Sequence, residues 1–378
     1  MRRTFYILLV AVFASQLTIG VVNVILPLYF RSLKMDMTNL NLIFTVFEFT
    51  LLFAMAFIGK ISDVIGRKYI VAFSLLLHTI VSYLNVVSTK ILEFAVLRAI
   101  RSFATVTDNV VAPAYVADIF RNGRGMKIGF LNAFRHSGVA IGGLIGGVIF
   151  GLLGFKYAFY LTSGITFMVF LFSVTLMKEP VKEIPKVNFN RNLSKDLIRL
   201  ALVSVIIWAG VRAITPTLFP VYISEVFHQS PAIVGLIIGV GTLGFSLFNI
   251  VGGKMIHSLG IKKTTLISIS IYAVASLMLY FSNNLILSSI LFFIVMSAFG
   301  LSNTGFSTWS VLLSRDHKRA QDIGIYRMIA GIGAIPGLLI SGLLADFFGF
   351  KSVFLFAAIV FIASLVSTKI FLQDVKTV

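Results

Sequence analysis

Seven ionisable residues interrupt long apolar stretches of this sequence: Glu48, Arg98, Arg101, Asp108, Arg135, Arg212 and Arg327. A charge at the middle of a bilayer costs at least about 2.5–3.5 kcal/mol on insertion scales, so such residues face a polar interior or pair with one another. Carboxyls in that setting can carry protons, and guanidiniums can hold anions. Asp108 is the first candidate for a proton carrier. Desolvation favours the protonated form of a carboxyl and nearby arginines favour the charged form, so the balance between them decides whether it titrates. Counting in from the stretch ends puts Glu48, Asp108 and Arg135 at similar depth, with His136 next to the last. Arg101, Thr105 and Asp108 share one helical face, being four and three residues apart. A cluster of Glu48, Asp108, Arg135 and His136 is expected. It admits two readings, a structural salt-bridge network and a site of proton or substrate coupling. Five arginines against two acids favour an anionic cargo if the arginines line a cavity. Arg212 stands before Pro216 and Pro220, and Arg327 near enough to the surface to reach water with its side chain. His78 and His136 read as polar packing groups rather than ligands.

The elements that carry these residues must be membrane helices. The chain is 58% hydrophobic and 12% charged, against about 25% charged residues in soluble domains. Lipid is therefore the solvent for most of it. The apolar runs are long and do not alternate, which selects helices over a barrel. Twelve spans are expected, over 5–30, 39–59, 69–88, 91–118, 126–153, 157–177, 197–223, 231–253, 264–281, 286–313, 321–347 and 352–371. The first is too long for a signal-peptide core and is read as a retained helix. With the N-terminus inside, cytoplasmic segments hold 22 of the 32 Lys and Arg residues and the outer segments hold 5. The positive-inside rule then places both termini in the cytoplasm, with the protein in the cell membrane. The same rule accounts for the net charge of +18 without a nucleic-acid partner.

The one long polar stretch, with Pro180 and Pro185, divides the chain into a six-helix bundle over 1–177, a cytoplasmic linker over 178–196 and a second six-helix bundle over 197–378. The halves echo each other. Gly138, Gly142, Gly147 and Gly154-Phe155-Lys156 recur as Gly333, Gly337, Gly342 and Gly349-Phe350-Lys351, at a constant offset of 195. Gly59-Lys60 and Gly66 recur as Gly253-Lys254 and Gly260, at an offset of 194. The fold expected is all-α, with two pseudo-symmetric bundles and a substrate path between repeats near the midplane.

The run Gly59-Lys60-Ile61-Ser62-Asp63-Val64-Ile65-Gly66-Arg67-Lys68 resembles the signature between helices two and three of the major facilitator superfamily. The resemblance covers nearly the full chain. It implies a gating latch: the acid at Asp63 lies against the positive end of the eleventh helix, and Arg67 pairs with Asp118. A basic loop serving topology alone is the plainer alternative. In the second half His257 stands where the acid would be, so the mirror latch is expected to be absent. Arg98 matches the intramembrane arginine of the family's fourth-helix motif, although Ser102 and Ala104 replace its glycines. Gly129, Gly138, Gly142, Gly143, Gly146 and Gly147 resemble the fifth-helix motif of the drug–proton antiporter branch, with Gly143 where a proline is usual. Close packing of small residues is the alternative there.

The expectation is a secondary transporter working by alternating access, exporting amphipathic compounds in exchange for protons. Uptake or exchange of an organic anion or sugar derivative is the second reading. Without cysteine, a nucleophile elbow, a His-Glu-x-x-His pair or a Walker loop, no catalytic residues, metal or cofactor are expected, and the chain is not read as an enzyme. A channel or receptor on the same fold is disfavoured, since a latch serves only moving bundles. The partners expected are lipid, protons and a small molecule, with the protein a monomer.

Overall fold

The computed structural model describes residues 2–120, 124–179, 193–315 and 319–373, so most of the expected linker lies outside the described residues. The described chain is helical nearly throughout. The first half holds α1 (Arg2–Ser32), α2 (Met37–Ile65), α3 (Arg67–Val87), α4 (Ile91–Val106), a π-helical turn (Thr107–Val111), α5 (Ala112–Ile119), α6 (Arg124–Leu153) and α7 (Phe155–Leu176). The second half holds α8 (Lys195–Ile214), α9 (Leu218–Val226), α10 (Pro231–Leu259), α11 (Ile261–Phe281), α12 (Leu285–Leu312), α13 (Arg319–Gly331), α14 (Ala334–Phe348) and α15 (Phe350–Phe371). Eleven helical runs among the described residues are long and apolar enough to cross a membrane. The twelfth span is the interrupted run of α4, the π turn and α5, and the expected all-α twelve-span fold is the one observed.

The interruptions follow from proline chemistry. Pro113 has no N–H, and its ring would crowd the carbonyl of Asn109 in a regular helix. Widening the preceding turn to π geometry removes that conflict. Pro216 likewise ends α8, and the chain becomes helical again at Leu218.

The chain divides into two compact units. One takes in residues 1–30, 46–189 and 229–239; the other takes in 31–45, 190–228 and 240–378. In the first, α3 packs on α7 and α4; in the second, the matching α11 packs on α15 and α12. The described glycines with positive φ are Gly66, Gly154, Gly260 and Gly349, at 116°, 92°, 86° and 81°. They are the repeated joints of the sequence, each ending one helix and starting the next in a conformation that side chains avoid.

Small residues set the closest approaches. In the first unit a methyl group on Gly138 or Gly142 would collide with the backbone of Phe13 or Leu17 on α1. Gly147 lies on another side of α6, against Pro231 and Gly235 of α10, and Gly143 stands between Val24 and Gly20 of α1 and Gly235 of α10. In the second unit Gly333 and Gly337 meet the backbone of Val205 and Ala209 on α8, and Gly342 meets Met37 and Thr38. Lipid supplies no hydrophobic drive between helices, so association of this kind depends on close van der Waals packing and interhelical hydrogen bonds.

Candidate functional site

Asp108 lies in the π turn and is only 3% exposed. Its carboxylate faces α1. One oxygen, Oδ2, accepts from Ser15 Oγ at 2.6 Å and from Gln16 Nε2 at 2.8 Å. Its backbone carbonyl accepts from Arg135 Nη2 on α6. A π turn shifts bonding from i+4 to i+5, which leaves a carbonyl for an outside donor. Three elements thus converge on one residue at mid-span.

The polar contacts continue along α1. Thr18 Oγ1 donates to the Ser15 carbonyl at 2.6 Å and lies 3.2 Å from Nδ1 of the fully buried His78. The hydroxyl's one proton is committed to that carbonyl, so it accepts from His78 Nδ1–H. Arg101, also fully buried, donates to the Thr18 carbonyl at 3.5 Å and to Ser82 Oγ at 3.3 Å. Asp108, Ser15, Gln16, Thr18, His78, Ser82 and Arg101 make one connected interior in the first unit.

Of the expected cluster, Asp108 and Arg135 are joined directly. The Arg135 guanidinium is hydrogen-bonded to the backbone carbonyl of Asp108. Glu48 is buried on α2, and His136 is half-buried on α6. The carboxylate's partners come from Ser15 and Gln16, which sequence reasoning passed over. A glutamine inside an otherwise apolar span was the available signal. Arg98 is buried with its guanidinium 4.5 Å from the centre of the Phe47 ring. In the second unit Arg212 stacks on Trp208 at 5.3 Å, and Arg327 is exposed on α13.

At the start of α3, Arg67 Nε pairs with Asp118 Oδ2, and Arg67 Nη1 lies 3.5 Å from Ser62 Oγ. Of Gly59, Lys60 and Asp63 only the helical backbone is described. Glu179 was not foreseen. Its two oxygens accept from the backbone N–H groups of Arg67 and Lys68, each at 2.8 Å. A carboxylate there satisfies two of the donors that every helix start leaves open, and sits at the positive end of the dipole. Tyr115 Oη donates to the Lys178 carbonyl at 2.6 Å and secures the same segment. At the mirror position His257 is exposed in the last turn of α10.

The opposite ends of the helices carry a second set of contacts, all within the second unit. Arg31 grips Glu225 with two bonds, Nε to Oε1 at 2.5 Å and Nη2 to Oε2 at 2.9 Å. Asp346 accepts from the N–H groups of Met37 and Thr38 at 2.9 and 2.8 Å, and from the Thr38 hydroxyl at 2.6 Å. Asn41 Nδ2 donates to the Leu338 carbonyl at 2.8 Å. Between α12 and α13, Arg315 is bound to Asp322, and that carboxylate raises its guanidinium above the ordinary value. No group of three or more metal-ligating side chains occurs among the described residues.

Comparison with known proteins gives the family and the fold. The profile described as Major Facilitator Superfamily matches residues 8–209 and 200–377. An uncharacterized MFS-type transporter of Methanocaldococcus jannaschii is 26% identical over 378 residues, covering 95% of each chain. The quinolone resistance protein NorA of Staphylococcus aureus is 23% identical over 363 residues, 92% of this chain and 91% of that one. Among solved structures, the nucleoside transporter NupG superposes with a TM-score of 0.80 at 18% identity, covering 98% of this chain and 100% of that one.

Proposed function

The chain belongs to the major facilitator superfamily and is a multi-pass membrane transporter of small molecules, and from that premise we propose that it exports amphipathic compounds in exchange for protons. The observation that carries the reading is Asp108: a buried acid at mid-span, in a widened helical turn, joined to α1 and α6. An acid in that position can take a proton from one side and release it to the other as the surrounding helices change partners. The similarity to a quinolone resistance protein supports export of drug-like cargo. Glu48, Arg98, Arg101, Arg135 and His136 are assigned to the same coupling region, and Arg212 and Arg327 to cargo.

Gly59, Asp63, Gly66, Arg67, Lys68 and Asp118 are assigned to a latch on the cytoplasmic side, with Glu179 holding the helix start on which it depends. Arg31–Glu225 and the Asp346 contacts are its counterpart on the far side. Alternate making and breaking of the two sets would shift the populations of inward- and outward-open states. Both termini are assigned to the cytoplasm and the protein to the cell membrane. The glycines of α6 allow the close approach such movements need.

Proteoliposomes with an imposed pH gradient and an internal pH dye test the coupling. Lipophilic cations and organic anions are added to wild type and to Asp108→Asn. Cargo-driven proton movement in wild type and its loss in the variant is the expected result. Labelled cargo crossing with no proton movement in wild type would instead make the protein a uniporter or exchanger. The second reading, movement of an organic anion or sugar derivative, draws on the surplus of intramembrane arginines and on the fold shared with a nucleoside transporter.

A further inference from the structure

Two joints of the second unit border a cavity of about 560 Å³. At one joint α11 stops at Phe281 and α12 starts at Leu285; at the other α14 stops at Phe348 and α15 starts at Phe350. These are ends of membrane spans, so the cavity opens at the level where lipid headgroups meet water. Its walls divide by chemistry. Phe281 and Phe348, 69% and 76% exposed, make an apolar side with Leu355. Lys351, Asn283 and Ser352 make a polar one. Lys351 Nζ donates to Asn283 Oδ1, which links the two joints. No described carboxylate is paired with Lys351, and neither α12 nor α15 has an acid in its first turn. The acid nearest in sequence, Asp346, is bound to the start of α2. An ammonium group has three donors. One is given to a neutral amide, and the charge stays available to an anion.

The apolar side runs on from the cavity. α11 packs on α15. Along α15, Leu355, Ile359, Ile362 and Val366 are exposed at helical spacing, and along α11 so are Val274, Leu277, Met278 and Phe281. Residues three and four apart keep to one face of a helix. From Leu355 to Val366 the helix rises about 16 Å, close to one leaflet of a hydrocarbon core about 30 Å thick. A cationic corner at headgroup level therefore stands at the end of an apolar strip of leaflet length.

We propose that this cavity binds a phospholipid of net negative charge, with its phosphate on Lys351 and an acyl chain along the exposed faces of α11 and α15. Basic pockets between membrane helices take anionic headgroups in this way. The site goes beyond the transport reading and depends on neither the cargo nor proton carriage by Asp108.

Native mass spectrometry of the full chain in detergent tests it, with phosphatidylglycerol and phosphatidylcholine added at equal concentration. In wild type the one-lipid adduct of phosphatidylglycerol should be at least threefold the more abundant. Lys351→Gln should close that gap and Lys351→Arg should keep it. Lys156, the counterpart of Lys351 in the repeat, is exposed at its own joint and controls for charge alone, so Lys156→Gln should also keep the gap. The proposal is overturned by equal adducts in wild type, by a gap that survives Lys351→Gln, or by a gap that Lys156→Gln closes as well. Displacement of the lipid by millimolar inorganic phosphate would overturn it too, as the mark of a free-anion site. If Lys351→Gln does not purify as a single species, wild type decides through a phosphatidylglycerol with a diazirine in its acyl chain. Label should concentrate on α11 and α15 and be competed by unlabelled phosphatidylglycerol but not by phosphatidylcholine. Label spread evenly over the helices, or competed equally by both lipids, overturns the proposal.

Discussion

Two donors from α1 meet on one oxygen of Asp108, and the loss of either should be felt in transport before it is felt in folding. Hydrogen bonds to charged groups contribute about 1.5–3 kcal/mol. Ser15→Ala and Gln16→Leu are therefore each expected to lower gradient-driven flux about tenfold, with Ser15→Thr retaining most of it. Thr18→Val serves as the control, since it alters the His78 side of the interior and leaves the carboxylate's donors in place. Flux in all four variants unchanged within twofold would reduce the Asp108 contacts to packing. The glycines offer a sharper residue-scale contrast. A leucine at Gly142 would drive a side chain into the Leu17 backbone, while Gly129 has open space around it. Gly142→Leu should destabilise by about 1–3 kcal/mol, as overpacking does elsewhere, and lower the melting temperature. Gly129→Ala should melt within a degree or two of wild type.

At the scale of the element, the start of α3 depends on a carboxylate delivered from beyond α7. Glu179→Ala should cost about 1 kcal/mol, the usual effect of losing a helix N-cap, read as a lower melting temperature. Arg67→Ala in the same background should add little if Glu179 and Arg67 act as one unit, and a full additive loss if they act separately. What was legible in the sequence follows from the same physics. The repeated joints were visible because only glycine tolerates the positive φ they need, so each joint is a single-letter signal. Arg67 and Asp118 were visible through the resemblance of the loop that carries one of them. The partners of Asp108 were legible only in part: Gln16 within an otherwise apolar α1 marks the face that turns inward, but not the residue it meets. Glu179 was hidden for a different reason: beside Pro180 it reads as part of the linker. The π turn was not legible: the stretch holding Pro113 was expected as one span over 91–118, and a proline alone does not say which geometry absorbs it.

For the molecule as a whole, the proposed latches at the two ends of the helices would make opposite demands during a transport cycle. Breaking the Arg31–Glu225 pair should favour the state in which those helix ends separate. In this cysteine-free chain a single cysteine at Thr38 is a direct reporter. Arg31→Ala and Glu225→Ala should each raise its alkylation rate several-fold, and the exchanged pair Arg31→Glu/Glu225→Arg should restore it. Equal rates in all four proteins would assign the pair to stability alone. The orientation is open to the same method: Thr89→Cys should react with an impermeant maleimide from outside intact cells, and Ser258→Cys only after lysis.

The grip of Glu179 on α3 also bears on how the gene could be cut. If the two halves were made as separate polypeptides, a first fragment ending at Met177 would leave its third helix without the carboxylate that starts it, whereas one ending a few residues past Glu179 would carry its own. Co-expression of fragments divided after Glu179 should reconstitute more active protein than fragments divided before it.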